Sequence, residues 1–133
     1  MAQRKLFDKK SLRAIGRYPL YSQDGRGDDA VASIKIFNPY GGQTYYLTEY
    51  DGRDTFFGVT DDGSGGREYG YFSKRELEDA RVNVWGSRLP LERDAYFRPT
   101  RVGKLYPRSS SLAGRGFENG REGGTGEMGN ANG

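Results

Sequence analysis

The amino-acid sequence predicts an α+β fold, with a small antiparallel β-sheet of about five strands, a short N-terminal helix and one helix before the last strand. From Val31 onward, apolar and polar residues alternate in the manner of half-buried strands. The segments between these strands are short and rich in Gly and Asp, which favours an antiparallel meander. A helix-capping signal at Ser73 predicts a helix after the fourth strand.

The first predicted element is a helix over residues 6–15. Leu12 and Ile15 lie one helical turn apart and therefore share one face, which we expect the core to cover. Gly16 follows directly and is a typical helix stop.

The next four elements are strands. In the first, three apolar residues alternate with Ser33 and Lys35, so the apolar side is expected to face the core. Asp51-Gly52 is a favoured hairpin pair. The acidic loop 61–66 superficially suggests a calcium site, but it lacks the ligand spacing of an EF-hand, and a hairpin turn is the better interpretation. The predicted strands span residues 31–37, 43–50, 54–60 and 68–72.

The second helix is predicted from the spacing of Ser73 and Glu76. This is the spacing of a capping box, in which each side chain accepts the free backbone amide of the other residue. Two to three turns are expected from there, ending near Arg81. Trp85 and Gly86 are expected to lie in the connection to the last strand.

The chain is predicted to divide into a single domain, residues 1–108, and a flexible tail, residues 109–133. The length of the first part suits one small domain. The tail is rich in Gly and poor in aromatic residues, so it cannot bury enough apolar surface to offset its ordering entropy.

The absence of Cys and His from the sequence excludes several classes of site. Disulfides, thiolate nucleophiles, Cys/His zinc sites and Ser-His-Asp triads all require one of these residues. An enzyme is therefore the less favoured expectation, and no cofactor or metal is assigned. The sequence also lacks an apolar run of membrane-spanning length and an apolar N-terminal signal. We expect a soluble, cytoplasmic protein that does not bind membranes.

Charge is segregated along the chain. Residues 1–17 carry six basic and one acidic side chains, and residues 88–108 carry six basic and two acidic ones. Residues 24–79 carry twelve acidic and six basic side chains. Two basic segments that meet in the fold make a cationic face suited to phosphate, while separate segments are ordinary solvated surface.

Several short motifs, in their order along the chain, are similar to those of a small bacterial domain. The motifs are Leu20-Tyr21-Ser22-Gln23, Lys35-Ile36-Phe37, Tyr46-Leu47-Thr48-Glu49, Phe56-Phe57-Gly58, Glu68 to Ser73, Glu76-Leu77-Glu78 and Leu91 to Asp94. The chain resembles the Domain of Unknown Function 2958 family over about residues 5–107. The resemblance implies an accessory protein of a plasmid, phage or integrative element, and carries over no activity. Gly66-Arg67 stands where many members have an aromatic-Pro pair, and the Gly-rich tail lies outside the family pattern.

A Glu-Arg-Asp triplet lies in the predicted last strand, residues 91–97. In a strand, Arg93 points to the side opposite Glu92 and Asp94. One interpretation is that the two carboxylates join others to hold a cation. The favoured alternative is that Arg93 pairs with a carboxylate of another strand, such as Glu49 or Glu68, and fixes the sheet register. The candidate cluster consists of Glu49, Asp61, Glu68, Glu92, Arg93 and Asp94.

The strand from Arg67 to Phe72 partly resembles the aromatic strand of an RNA recognition motif. Glu68 places a carboxylate where that motif has Gly, and it repels phosphate. We therefore interpret the aromatic residues of this strand as core.

Three functions compete. The first is a non-catalytic module of a mobile element that binds a protein partner, for example a component of a host defence system. The second is nucleic-acid binding through basic segments 4–17 and 88–108. The third is a cation-dependent hydrolase that uses the carboxylate cluster. Oligomeric state is left open. The candidate nucleic-acid-binding residues are Arg13, Arg17, Arg98, Arg101, Lys104 and Arg108.

Overall fold

The computed structural model of the chain describes residues 5–106. The predicted tail, residues 109–133, and Arg108 lie outside the described residues. Residues 5–102 belong to one compact unit. The helices are α1 (Lys9–Ile15), α2 (Lys74–Asp79) and α3 (Val102–Leu105), with a 3₁₀ turn at Gly27–Asp29. The strands are β1 (Val31–Ala32), β2 (Ile34–Phe37), β3 (Thr44–Tyr50), β4 (Thr55–Asp61), β5 (Arg67–Ser73), β6 (Arg81–Val84), β7 (Ser87–Pro90), β8 (Glu92–Arg93) and β9 (Thr100–Arg101).

A five-stranded antiparallel sheet with the order β5-β4-β3-β2-β8 forms the centre of the fold. The α+β class, the sheet and both predicted helices are confirmed. β5 and β8 are the two edge strands. Two small pairs accompany the sheet, one joining β1 to β9 and one formed by the β6–β7 hairpin.

The core lies on one face of the sheet. The alternation predicted for the first strand places Ala32, Ile34 and Ile36 inside, and all three are buried. Burying one isoleucine side chain stabilises the fold by about 1.5–3 kcal/mol. The buried core cluster is formed by Phe7, Ile15, Ile34, Ile36, Leu47, Tyr50, Phe56, Leu77 and Leu91.

Helix α1 begins later than predicted because Asp8 caps it. The Asp8 carboxylate accepts the Ser11 amide at 2.8 Å, and the Ser11 hydroxyl in turn accepts the Asp8 amide at 3.2 Å. Phe7 therefore precedes the helix, and its ring lies 5.0 Å from that of Phe56 in the core. Gly16 keeps a right-handed backbone with φ of −61°, so the chain continues the turn instead of reversing there.

Helix α2 is shorter than the predicted two to three turns and ends at Asp79 rather than near Arg81. Half of the expected capping box is present, because the Ser73 hydroxyl accepts the Glu76 amide at 3.1 Å. Asp54, from the loop between β3 and β4, supplies the rest of the cap. Its carboxylate accepts the Ser73 hydroxyl at 2.6 Å and the Arg75 amide at 2.9 Å.

The connection after α2 is a hairpin, which was not predicted from the sequence. Val84 pairs with Ser87, and the two residues between them have φ of 54° (Trp85) and 87° (Gly86). Positive φ at both central residues is the geometry of a type I′ turn.

The predicted last strand is also too long. β8 contains only Glu92 and Arg93, because the chain turns at Asp94, whose carbonyl accepts the Phe97 amide.

Candidate functional site

A β-bulge at Thr48 decides which side chains of β3 face the core. Leu47 pairs with Gly58, but the next pair is Glu49 with Phe57, so Thr48 is the extra residue. Regular alternation would turn Glu49 toward the core beside Leu47. The bulge turns Tyr50 inward instead and places Glu49 on the opposite face of the sheet, which we call the outer face.

Glu49 is a buried side chain whose carboxylate accepts two backbone amides. Its side chain is only 3% exposed, because the segment after α1 crosses over it. One carboxylate oxygen accepts the Tyr21 amide at 2.8 Å and the other accepts the Gln23 amide at 2.9 Å. Buried charges persist where such hydrogen bonds replace water. Glu49 therefore fixes the position of this segment on the outer face.

Gln23 reinforces the same attachment. Its side-chain amide donates to the carbonyl oxygens of Val31 and Thr48, at 2.9 and 2.8 Å, and its oxygen accepts the Val31 amide at 2.7 Å. The bulged residue Thr48 thus uses its carbonyl to hold the crossing segment. These bonds and those of Glu49 join one short segment to β1 and β3.

Tyr21 has a strained backbone within this segment. Its φ is 72°, in the left-handed region that bulky residues rarely adopt. Such strain persists only where the surroundings fix the conformation, and it concentrates at functional sites. The bond from the Tyr21 amide to Glu49 provides that constraint and leaves the Tyr21 side chain 63% exposed.

Four aromatic side chains, Tyr21, Phe57, Tyr69 and Tyr71, form what we call the outer aromatic patch. Phe57 is central, with its ring 6.0 Å from that of Tyr69 and 5.0 Å from that of Tyr71. Tyr69 and Tyr71 are 51% and 55% exposed. A hydrogen bond between the hydroxyls of Tyr21 and Tyr71 closes the patch and raises the pKa of Tyr71 above its ordinary value of 10.0.

The interpretation of the Arg67–Phe72 strand as core aromatics is therefore wrong for two of its three rings. Phe72 packs against the core, while Tyr69 and Tyr71 point to the outer face and solvent. Successive residues of a strand point to opposite faces, and Tyr69 and Tyr71 alternate with Gly70 and Phe72. The sequence therefore already indicated that the two tyrosines lie on the face opposite Phe72. No sequence pattern indicated that Tyr21 and Phe57 would join an exposed aromatic surface.

Arg93 has a different partner from those considered in the sequence analysis. Its guanidinium donates through Nε to the Leu6 carbonyl at 2.9 Å and through an Nη nitrogen to the Asp8 carboxylate at 3.1 Å. Neither Glu49 nor Glu68 is involved. Arg93 therefore attaches the start of helix α1 to β8, and the capping and charge interactions lower the pKa of Asp8. The largest cause of that lowering is the Ser11 amide.

The other members of the predicted carboxylate cluster are dispersed. Glu68 lies on the edge strand β5 and Glu92 on the opposite edge strand β8, which are roughly 19 Å apart at the usual strand spacing. Asp61 accepts the Gly63 amide in the acidic loop, which is the predicted hairpin turn between β4 and β5, and Asp94 lies 3.9 Å from Lys35. Among residues 5–106, no three carboxylates are placed to hold one metal ion.

The predicted basic residues divide between a pocket and open surface. Arg13 and Arg17 line one pocket together with Pro99, so the two basic segments do meet in the fold. Arg98, Arg101 and Lys104 are exposed.

Residues 8–115 match the model of a family described as protein of unknown function (DUF2958). The matched region begins at the cap of α1 and extends seven residues beyond Arg108, into the segment predicted as tail. No curated protein and no solved structure matches the chain. None of the helices in the described part of the chain is both long and apolar enough to cross a bilayer.

Proposed function

We propose that this protein, which belongs to the DUF2958 family, is a non-catalytic module that binds a protein partner through the outer aromatic patch. One observation carries the proposal. Four contiguous aromatic side chains lie on the face of the sheet opposite the core, and three of them are more than half exposed. Contiguous exposed apolar groups of this kind mark interaction sites on folded proteins.

The chemistry of the patch suits protein recognition. Tyrosine offers a large apolar ring with few rotatable bonds and a hydroxyl for a directed hydrogen bond, so it is frequent among residues that dominate binding energy. The acidic residues Glu68 and Asp24 lie near in sequence to patch members. They make the surface better suited to a protein than to the phosphates of a nucleic acid.

The patch is also organised before any partner binds. Glu49 fixes the backbone of Tyr21, and the hydroxyls of Tyr21 and Tyr71 bond to each other. The ring of Phe57 stacks on that of Tyr69 and makes a tilted contact with that of Tyr71. Ordering a rotamer-rich side chain on binding costs about 0.5–1.5 kcal/mol. A surface whose side chains are already ordered avoids part of that cost.

The partner belongs, in this proposal, to the host of a mobile genetic element. The family resemblance implies an accessory protein of a plasmid or phage, acting in the cytoplasm. A component of a host defence system is the concrete form. This part of the proposal is supported by the resemblance, while the binding surface is supported by the geometry.

The two other functions have less support in the fold. A hydrolase needs several carboxylates within a few ångströms, and the described residues do not provide such a group. Nucleic-acid binding keeps one supporting observation, the pocket that Arg13 and Arg17 share.

A pull-down from lysate of the native host tests the proposal. The bait proteins are the wild type, the double variant Tyr69→Ser/Tyr71→Ser and the control Tyr96→Ser. Tyr96 is a suitable control because it is 93% exposed but lies outside the patch. We expect one protein to be recovered with the wild type and the control and lost with the double variant. Equal recovery by all three baits, or no recovery by any, contradicts the proposal, provided that thermal unfolding shows all baits folded.

A further inference from the structure

We infer that a pocket between helix α1 and Pro99 binds the phosphoryl group of a phosphate-bearing ligand. The pocket has a volume of about 270 Å³. This is several times the ~30 Å³ that one water molecule occupies in the liquid, so a hydrated phosphoryl group fits inside it. The inference is independent of the outer aromatic patch. The lining residues are Lys10, Arg13, Ala14, Arg17, Tyr18, Ser33 and Pro99.

Helix α1 presents its cations to the pocket on one face. Lys10 and Arg13 are three residues apart and share one face of the helix, and Arg17 follows in the turn after the helix ends at Ile15. Ala14 lies among them and leaves room for a ligand. Ile15 occupies the opposite side and is buried in the core. Core packing on that side orients the cationic face outward.

These cations are not neutralised within the described part of the chain. No carboxylate lines the pocket. The ion pairs formed among residues 5–106 involve Lys35, Lys74 and Arg93, but none of the three pocket cations. A concave surface lined by one sign of charge concentrates ions of the opposite sign.

A larger groove elsewhere on the protein also contains cationic side chains, but these are paired with carboxylates. It has a volume of about 480 Å³ and contains both Lys35 and Arg93. Lys35 is paired with Asp94 and Arg93 with Asp8. The cations of that groove therefore have local counter-charges, unlike those of the α1 pocket.

Ser33 supplies the second, independent observation. It lies between β1 and β2, is 6% exposed, and donates its backbone amide to the Leu47 carbonyl at 2.9 Å. Its hydroxyl is buried and has no hydrogen-bond partner. Buried polar side chains are nearly always paired, so an orphaned hydroxyl beside a cationic pocket indicates a missing acceptor. A phosphoryl oxygen is an acceptor of the right charge.

Helix electrostatics alone does not account for this arrangement. Cations near the C-terminal end of a helix stabilise its free carbonyl groups, which explains Arg13 and Arg17 as surface residues. That explanation leaves the unpaired Ser33 hydroxyl and the absence of acidic lining residues unaccounted for. An oxyanion ligand accounts for all of these features together.

The phosphoryl group has two possible carriers, a small phosphate compound or a nucleic-acid backbone. Pro99 brings the segment that contains Arg98 and Arg101 to the rim of the pocket. Both carriers present the same oxygens to Lys10, Arg13 and Arg17. The experiment therefore titrates inorganic phosphate first and then asks whether a short single-stranded oligonucleotide competes for the same residues.

Backbone amide NMR of the full chain, at constant ionic strength with sodium chloride as the reference salt, tests the inference. We expect phosphate to shift the amides of residues 10–18 and of Ser33. Arg13→Gln and Arg17→Gln are expected to weaken binding about fivefold each, and Ser33→Ala about tenfold. Arg88→Gln removes the same charge from an exposed strand residue outside the pocket and is expected to leave the affinity unchanged.

Competition by the oligonucleotide at the same amides identifies a nucleic-acid backbone as the carrier, and phosphate binding without competition identifies a small phosphate compound. The inference is overturned if phosphate shifts no pocket amide, or if Arg88→Gln weakens binding as much as the pocket variants. Ser33→Ala removes an unpaired hydroxyl and is expected to keep or raise the thermal midpoint, so its loss of affinity cannot be attributed to unfolding.

Discussion

The buried carboxylate of Glu49 holds the backbone of Tyr21 in a left-handed conformation. The Tyr21 amide donates to Glu49 at 2.8 Å, and the φ of Tyr21 is 72°. The two residues lie 28 positions apart in the sequence. The carboxylate thus connects strand β3 to the residue that carries an exposed aromatic side chain, and it fixes the strained backbone of that residue.

Glu49→Gln is expected to lower the free energy of unfolding by about 1–3 kcal/mol. Glutamine has one acceptor oxygen, so one of the two backbone amides that Glu49 now satisfies loses its partner. Chemical denaturation measures the change. Glu68→Gln makes the same substitution on the exposed strand β5 and should stay within about 0.5 kcal/mol of the wild type. Equal effects of the two substitutions would contradict this role of Glu49.

Tyr21→Phe is expected to return the pKa of Tyr71 toward 10.0, since the Tyr21 hydroxyl is the largest cause of its rise. A pKa that is raised on folding contributes stability below the unfolded value and loses it as the pH rises through the folded value. The wild type therefore loses this contribution above about pH 10, and the variant has less of it to lose. Titration of ¹³C-labelled tyrosine by NMR follows the resonance directly. A Tyr71 pKa that does not change in the variant would refute the hydroxyl contact.

Trp85→Asn is expected to maintain or raise the free energy of unfolding, by up to about 1 kcal/mol. Trp85 is 99% exposed and has a positive φ, so the indole contributes little packing while its backbone is strained. Asn-Gly is the favoured pair for a type I′ turn, and Gly86 is already in place. Thermal unfolding provides the comparison. A lower midpoint than that of the wild type would show that the indole stabilises the fold.

Arg93→Met is expected to lower the free energy of unfolding by about 1.5–3 kcal/mol, because the charged hydrogen bond to the Leu6 carbonyl is lost. The ion pair to Asp8 should contribute less than about 1 kcal/mol, since Asp8 is half exposed. A double-mutant cycle with Asp8→Asn, which keeps a capping side chain, separates the two contributions. If Arg93→Met costs nothing in the Asp8→Asn background, the ion pair, and not the carbonyl bond, holds α1 to β8.

The parts of the fold that depend on local pattern could be predicted from the sequence. Alternation in β2 identified the core residues Ile34 and Ile36, and Ser73 identified the start of α2. The β6–β7 hairpin was missed because Trp85-Gly86 is not a favoured turn pair, although its geometry is that of a two-residue turn.

The site depends on relationships that no local pattern encodes. Which face of a strand is exposed depends on where helices pack, so Tyr69 and Tyr71 were wrongly assigned to the core. The role of Glu49 depends on the bulge at Thr48, which reverses the alternation within a single strand. The contact between Arg93 and Asp8 joins residues 85 positions apart.

The most direct test of the proposed function is the affinity of the purified partner for single-residue variants, measured by isothermal titration calorimetry. Tyr71→Ser is expected to raise the Kd at least about 30-fold, the loss typical of a residue that dominates an interface. Tyr96→Ser and Trp85→Asn, which change exposed aromatic residues outside the patch, should leave the Kd within about threefold of the wild type. An unchanged Kd for Tyr71→Ser, or a larger loss for Trp85→Asn, would contradict the assignment of binding to the outer aromatic patch.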